Sequence, residues 1–156
     1  MFMETRTILV AEDDENDVFL MQRAFVQARS QSALRFVSNG EEALAYLRAE
    51  GPYTDRREFP FPSLLLLDLK MPQKNGLEVL EAVRGDADLK RLTVVVFTSS
   101  NQARDIDLAM GLGANSYLVK PSDPKALASL LHRVEDYWLT LNQGSASIPR
   151  EAAAPV

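Results

Sequence analysis

No cysteine occurs anywhere in the chain, which excludes disulfides, a thiolate nucleophile and every cysteine-based metal site. No glycine-rich loop is present to cradle a phosphate through its backbone. No apolar run is long enough to span a bilayer. The first residues, Met1 to Thr7, lack the apolar stretch of a signal peptide. Positive charge is in deficit. The net charge of −5 argues against non-specific binding to nucleic acid. These absences lead to the expectation of a cytoplasmic protein with no membrane and no nucleic-acid partner.

What remains is ordinary for a globular protein, with 46% hydrophobic and 25% charged residues. A chain of 156 residues makes one domain and can bury a core without covalent staples. Short β-rich runs alternate with longer helical patterns. Strands are expected at Thr7–Ala11, Leu34–Ser38, Ser63–Asp68, Thr93–Thr98 and Asn115–Val119. Helices are expected at Asn16–Arg29, Glu41–Glu50, Gly76–Arg84, Asn101–Leu112 and Asp123 to about Leu141, with Gly113 ending the fourth. Five βα units with continuously apolar strands imply a parallel sheet covered on both faces. Right-handed crossovers then favour a flavodoxin-like, doubly wound (βα)5 fold of order 2-1-3-4-5. Residues 1–141 form that domain. Residues 142–156 read as a flexible tail, and Gly51–Pro62 as a long, proline-punctuated connection.

In such a sheet, sites form at the carboxyl ends of the strands. The first strand ends in Glu12-Asp13-Asp14, the third in Asp68, the fourth in Thr98-Ser99-Ser100 and the fifth in Lys120-Pro121. Acids crowded at one spot repel each other unless a cation joins them. Carboxylate oxygens without histidine or cysteine suit Mg²⁺, which keeps waters and accepts phosphate oxygens. A carboxylate can also act as a nucleophile and form an aspartyl phosphate. Positioning and charge stabilisation then supply the rest of the chemistry. Taken alone, the acidic triplet could simply complement a helix dipole, and Lys120 could be an ordinary surface lysine. Placed opposite Asp68, they read as parts of one site.

These residues resemble the receiver domain of two-component response regulators. The match runs through Ile8–Asp14, Leu66–Pro72, Asn75-Gly76, Thr98-Ser99 and Tyr117–Pro121, and spans residues 6–140. The resemblance implies that Asp68 is the phosphoacceptor. It implies that Glu12 and Asp13 hold Mg²⁺, together with Asp68 and the backbone carbonyl of Lys70. Thr98 and Lys120 would contact the phosphoryl group, and Tyr117 would swing inward when Thr98 moves. Lys70 and Ser100 occupy positions that tune dephosphorylation in the family, and a lysine at 70 departs from the commoner asparagine. The resemblance also implies a cis Lys120–Pro121 bond. The 51–62 insertion, Ala114–Tyr117 and Asp136-Tyr137-Trp138 resemble the single-domain regulators paired with phytochromes. That likeness implies a phytochrome histidine kinase as partner and a homodimer through the fifth strand and last helix.

On the first helix, Leu20, Met21, Ala24, Phe25 and Ala28 share one face, which should be core. Phe19 and Val26 then point outward and make a candidate kinase-docking patch. His132 reads as a surface or dimer-face residue, and Tyr137 and Trp138 as core or interface. Two other classes fare worse. A haloacid-dehalogenase-type phosphatase needs an aspartate at position 70, where lysine stands, and a flavodoxin would not place acids in its first loop. A degenerate receiver acting as a scaffold would lack site residues that this chain retains. The expectation is therefore a phosphorylation switch without an enzymatic output.

Overall fold

The computed structural model describes residues 5–144. Five parallel strands, β1 (Thr7–Ala11), β2 (Ala33–Val37), β3 (Leu64–Leu67), β4 (Val94–Thr98) and β5 (Ser116–Val119), form one sheet of order β2-β1-β3-β4-β5. The helices are α1 (Glu15–Gln27), α2 (Gly40–Leu47), α3 (Gly76–Gly85), α4 (Ala103–Gly111) and α5 (Pro124–Glu135). This is the expected doubly wound flavodoxin-like fold, with strand ends within one residue of expectation.

The strand sequences explain the layering. Side chains alternate across a strand, so a sheet covered on both faces needs an apolar residue at every position. Leu64 and Leu66 join Ile8, Val10, Val95 and Phe97 beneath α1 and α5. Leu65 and Leu67 join Leu9, Ala11, Val94 and Val96 beneath α2, α3 and α4. Each buried leucine contributes roughly 1.5–3 kcal/mol of transfer free energy. Most of the expected α1 core face is in place: Met21, Ala24 and Phe25 are buried and Leu20 packs against them, whereas Ala28 is half-buried at the helix C-cap.

Two local features differ from the sequence reading, and a third gives form to a segment that reads in sequence as a connection. The Lys120–Pro121 peptide is trans, the lower-energy isomer even before proline. The last helix does not run on unchanged to Leu141. From Asp136 to Leu141 it widens into a π-helical turn, closed by Asn142 N–H donating to the Tyr137 carbonyl at 2.6 Å. Trp138 leans on the α1/α5 core there, while Tyr137 stays exposed with its ring edge-on to Trp138 at 4.8 Å. Finally, the 51–62 connection is an ordered cover. Tyr53 and Phe59 pack with Tyr46 of α2 at centroid distances of 5.1–5.9 Å. Arg56 donates to the carbonyls of Tyr46 and Leu47 at the end of α2 and to that of Phe59. Arg56 thereby caps the last turn of α2, where the Tyr46 carbonyl also accepts from the Ala49 N–H at 3.2 Å. Of the expected tail, residues 145–156 lie outside the described residues. No described helix is long and apolar enough to cross a membrane.

Candidate functional site

The site lies where β1, β3, β4 and β5 end. Glu12 directly follows β1, and its backbone N–H donates to Val37 O of β2 at 3.0 Å. Asp68 directly follows β3, and its N–H donates to Ala11 O at 3.1 Å. Lys120 follows β5, and its N–H donates to Thr98 O at 2.8 Å. The sheet ladder itself therefore aims these side chains at one another.

Asp68 is buried, and both its carboxylate oxygens are engaged. Oδ1 accepts from the buried Thr98 hydroxyl at 2.9 Å and from Lys70 N–H at 3.2 Å. Oδ2 accepts from Lys120 Nζ at 3.0 Å. The same ammonium donates to Glu12 Oε2 and, at 3.1 Å, to Asp17 Oδ2 on α1. Glu12, Asp13 and Asp68 offer carboxylate oxygens within 4.8 Å of one another. An all-oxygen cluster of this size fits a hard divalent cation.

Burial holds the Glu12 carboxyl up, as does its hydrogen bond with Asp68. Lys120 and the Asp14 N–H oppose the rise, and the result is about 7. Burial would raise Asp68 too, but the Glu12 hydrogen bond and the Lys120 charge outweigh it and push Asp68 below the usual carboxylate range. Burial works against the Lys120 charge, but its Glu12 and Asp68 partners prevail and raise it. The paired carboxyls thus divide their roles. Asp68 is pushed toward the ionised form, and Glu12 is the carboxyl of the two that holds its proton to higher pH.

The loop after β3 is shaped by two close approaches. Gln73 and Lys74 both have positive φ, 48° and 74°, which turns the chain back over the site. A Cβ on Gly76 would lie 2.2 Å from Asp68 O, and one on Gly40 would lie 2.0 Å from Lys74 O. Only glycine fits either position. Gly40 therefore supports the site, although the Asn39-Gly40 pair reads in sequence as no more than a turn. Gly76→Ala should cost roughly 1–3 kcal/mol by forcing backbone apart, and should weaken divalent-cation binding because Asp68 and Lys70 move with the loop. Gly85→Ala is the control, since nothing lies within 4 Å of the point where its methyl group would stand. Urea unfolding and a metal titration separate the two variants, and equal behaviour would remove the steric argument.

The structure thus brings together Glu12, Asp13, Asp68, Thr98 and Lys120 as expected, with Lys70 beside Asp68 through its backbone. Tyr117 is half-buried and donates its hydroxyl to Ser100 O at 2.9 Å. Ser100 is itself tied to Asp105 Oδ2 of α4 at 2.5 Å. Phe19 and Val26 lie outside the site and are 53% and 79% exposed, with Arg23 over the Phe19 ring at 5.7 Å. His132 is exposed on α5, away from the acids. Asp17 was not legible from its spacing, because an acid three residues after Asp14 reads only as a first-turn helix residue.

Comparison with known proteins agrees with this geometry. The response regulator receiver domain family matches residues 8–132. The response regulator Rcp1 of Synechocystis is 35% identical over 134 residues, covering 86% of this chain and 89% of the relative. The response regulator RPA3017 in red light signaling of R. palustris superposes with a TM-score of 0.86 at 33% identity, over 90% of this chain and 99% of that one. The phosphorylated cyanobacterial phytochrome response regulator RcpA gives 0.83 at 34%, over 92% and 100%. Rcp1 has also been solved in a Mn²⁺-bound form, with a TM-score of 0.78 at 34% identity over 90% and 99%. A five-stranded receiver fold, an acidic cluster fit for a divalent cation and a family match across most of the chain lead to one conclusion: this chain is a response regulator, a member of the receiver-domain family of two-component signalling and similar to its phytochrome-associated members.

Proposed function

We propose that Asp68 accepts a phosphoryl group from a sensor histidine kinase and that the chain passes the signal on through protein contacts. The observation that carries this reading is the environment of Asp68, a buried, ionised carboxylate held between a hydroxyl and an ammonium. One carboxylate oxygen attacks the phosphorus of a phosphohistidine. The N–P bond breaks, the imidazole nitrogen keeps the electron pair and is protonated, and an acyl phosphate remains on Asp68. Thr98 Oγ1 and Lys120 Nζ, at 2.9 and 3.0 Å from the Asp68 carboxylate, would receive the phosphoryl oxygens.

Mg²⁺ is the cation we propose, held by Glu12, Asp13, Asp68 and the Lys70 carbonyl. When bound, it offsets the charge of the phosphoryl oxygens. For the readout, Tyr117 is joined to Ser100, two residues beyond Thr98, so a displacement of Thr98 toward the phosphoryl group would be felt at the Tyr117 hydroxyl. The lysine at position 70 and Ser100 would set the lifetime of the acyl phosphate. The phytochrome and red-light response regulators among the similar structures support a phytochrome-type kinase as the donor, and the site of action proposed is the cytoplasm. Val119 on β5 and Tyr137 after α5 are exposed, which supports a homodimer through that edge.

Phe19 and Val26 are proposed to dock the kinase. Replacing both with glutamate should slow transfer from a phytochrome kinase about tenfold or more, since truncating a central apolar contact often costs over 1.4 kcal/mol. Labelling by acetyl phosphate, which needs no docking, should be unchanged. Equal slowing with both donors would place the effect in folding or in the site, and unchanged kinase transfer would remove the patch.

A further inference from the structure

Lys120 has three ammonium protons and three carboxylate acceptors: Glu12, Asp68 and Asp17. Two of these also belong to the cluster that fits a cation, together with Asp13, whereas Asp17 stands outside it. When Glu12 and Asp68 turn their oxygens to a cation, their hold on the ammonium weakens. Asp17 is the one acceptor of the three without that second demand. Its backbone is fixed at the helix start, because Asp14 Oδ1 caps α1 by accepting from the Asn16 and Asp17 N–H groups at 2.8 and 3.2 Å. The helix behind it is anchored in the core by Met21, Ala24 and Phe25. A lysine side chain is a point charge on a flexible stem and needs such an external stop to stay in one place.

We infer that Asp17 is a positioning residue for phosphoryl acceptance, holding the Lys120 ammonium over Asp68 while Glu12 and Asp68 serve the cation. The inference rests on the reading of Asp68 as phosphoacceptor. It goes beyond the plain alternative, in which Asp17 merely complements the α1 dipole, because its carboxylate reaches a residue 103 positions away in sequence.

The test compares Asp17→Ala, Asp17→Asn and Asp17→Glu with the unaltered chain. Three quantities are measured: the labelling rate by acetyl phosphate at saturating Mg²⁺, Mg²⁺ affinity by titration, and the thermal midpoint without metal. Asp17→Ala should label about three- to fivefold more slowly, the worth of one partly exposed ion pair. Asp17→Asn should fall between Asp17→Ala and the unaltered chain, and Asp17→Glu should return to within about twofold of it, as one ion pair regained implies. Mg²⁺ affinity should fall in Asp17→Ala, because the released ammonium competes more strongly for Glu12 and Asp68. An Asp17→Ala variant that labels at the full rate under saturating Mg²⁺ overturns the inference, even if its metal affinity has changed. So does an Asp17→Glu variant as slow as Asp17→Ala with a lowered midpoint, which would make the role structural. Failure of the parent reading looks different: the unaltered chain itself would not label.

Discussion

Asp68→Asn is expected to reduce labelling by acetyl phosphate or by kinase to background and to abolish the response to beryllofluoride with Mg²⁺. The amide keeps nearly the shape of the carboxylate, so the fold should survive, but it offers no anionic oxygen to attack phosphorus. An amide N–H cannot accept from the Lys120 ammonium as Oδ2 does. The change should be visible at Glu12 as well. The hydrogen bond to Asp68 is one of the causes that hold Glu12 near 7. With that carboxylate gone and Lys120 still present, Glu12 should titrate lower. A cation that binds Glu12 must displace its proton, so affinity in the unaltered chain should weaken as pH falls through about 7. In Asp68→Asn that weakening should begin at lower pH, and overall affinity should fall because a ligand charge is lost. Carboxyl NMR shifts and metal titrations at pH 6 and 8 read both effects. Sedimentation of the unaltered chain with and without beryllofluoride belongs beside them, since a monomer in both conditions removes the proposed dimer. Persistent labelling of Asp68→Asn would show that another group is the acceptor.

What could be read from sequence in this molecule was whatever is fixed by strand ends. Leu64 to Leu67 are apolar at every position, and that pattern alone locates β3, the two faces it buries and the acid that ends it. The same reasoning located Glu12, Thr98 and Lys120, because a parallel sheet brings its carboxyl ends together whatever the helices do. What could not be read depends on contacts across the sequence. Arg56 reads as one polar residue in a loop, and its role becomes visible only once the last carbonyls of α2 are seen beside it. Gly40 and Gly76 are constrained by the backbone of a different segment, for which a single sequence carries no mark. Asp17 has the spacing of a helix cap residue, and nothing local indicates the lysine it meets. Of the features carried over by resemblance, the cis Lys120–Pro121 bond is one that the structure does not have.

Lys120→Met should separate two properties that normally travel together, improving cation binding while impairing phosphoryl acceptance. The ammonium now occupies Glu12 and Asp68, both of which belong to the cation cluster. Removing it frees those oxygens and removes a positive charge, so divalent affinity should rise. Without metal the same change leaves buried carboxylates facing each other, and removing one partner of a buried ion pair typically costs about 3–5 kcal/mol. The pH dependence follows from Glu12. Its carboxyl is raised from an ordinary 4.5 to about 7, so the folded state binds its proton more tightly than the unfolded one does. Glu12 therefore favours folding at low pH, and that contribution is lost as pH rises from about 4.5 through about 7. Lys120 is one of the causes opposing the rise, so in Lys120→Met the loss should extend to higher pH. Asp68, held below its ordinary value by the same lysine, acts in the opposite sense: its contribution is present above that value and lost on acidification, and it shrinks in the variant. The destabilisation should accordingly be small near pH 5, large near pH 8, and partly reversed by Mg²⁺, which restores about 2.7 kcal/mol when present at a hundred times its dissociation constant. Labelling by acetyl phosphate should nevertheless fall, because no ammonium remains to meet the phosphoryl oxygens. Urea unfolding at the two pH values, with and without Mg²⁺, checks this. If affinity for Mg²⁺ falls in Lys120→Met, the lysine does not compete with the cation, and the electrostatic account of the site is wrong.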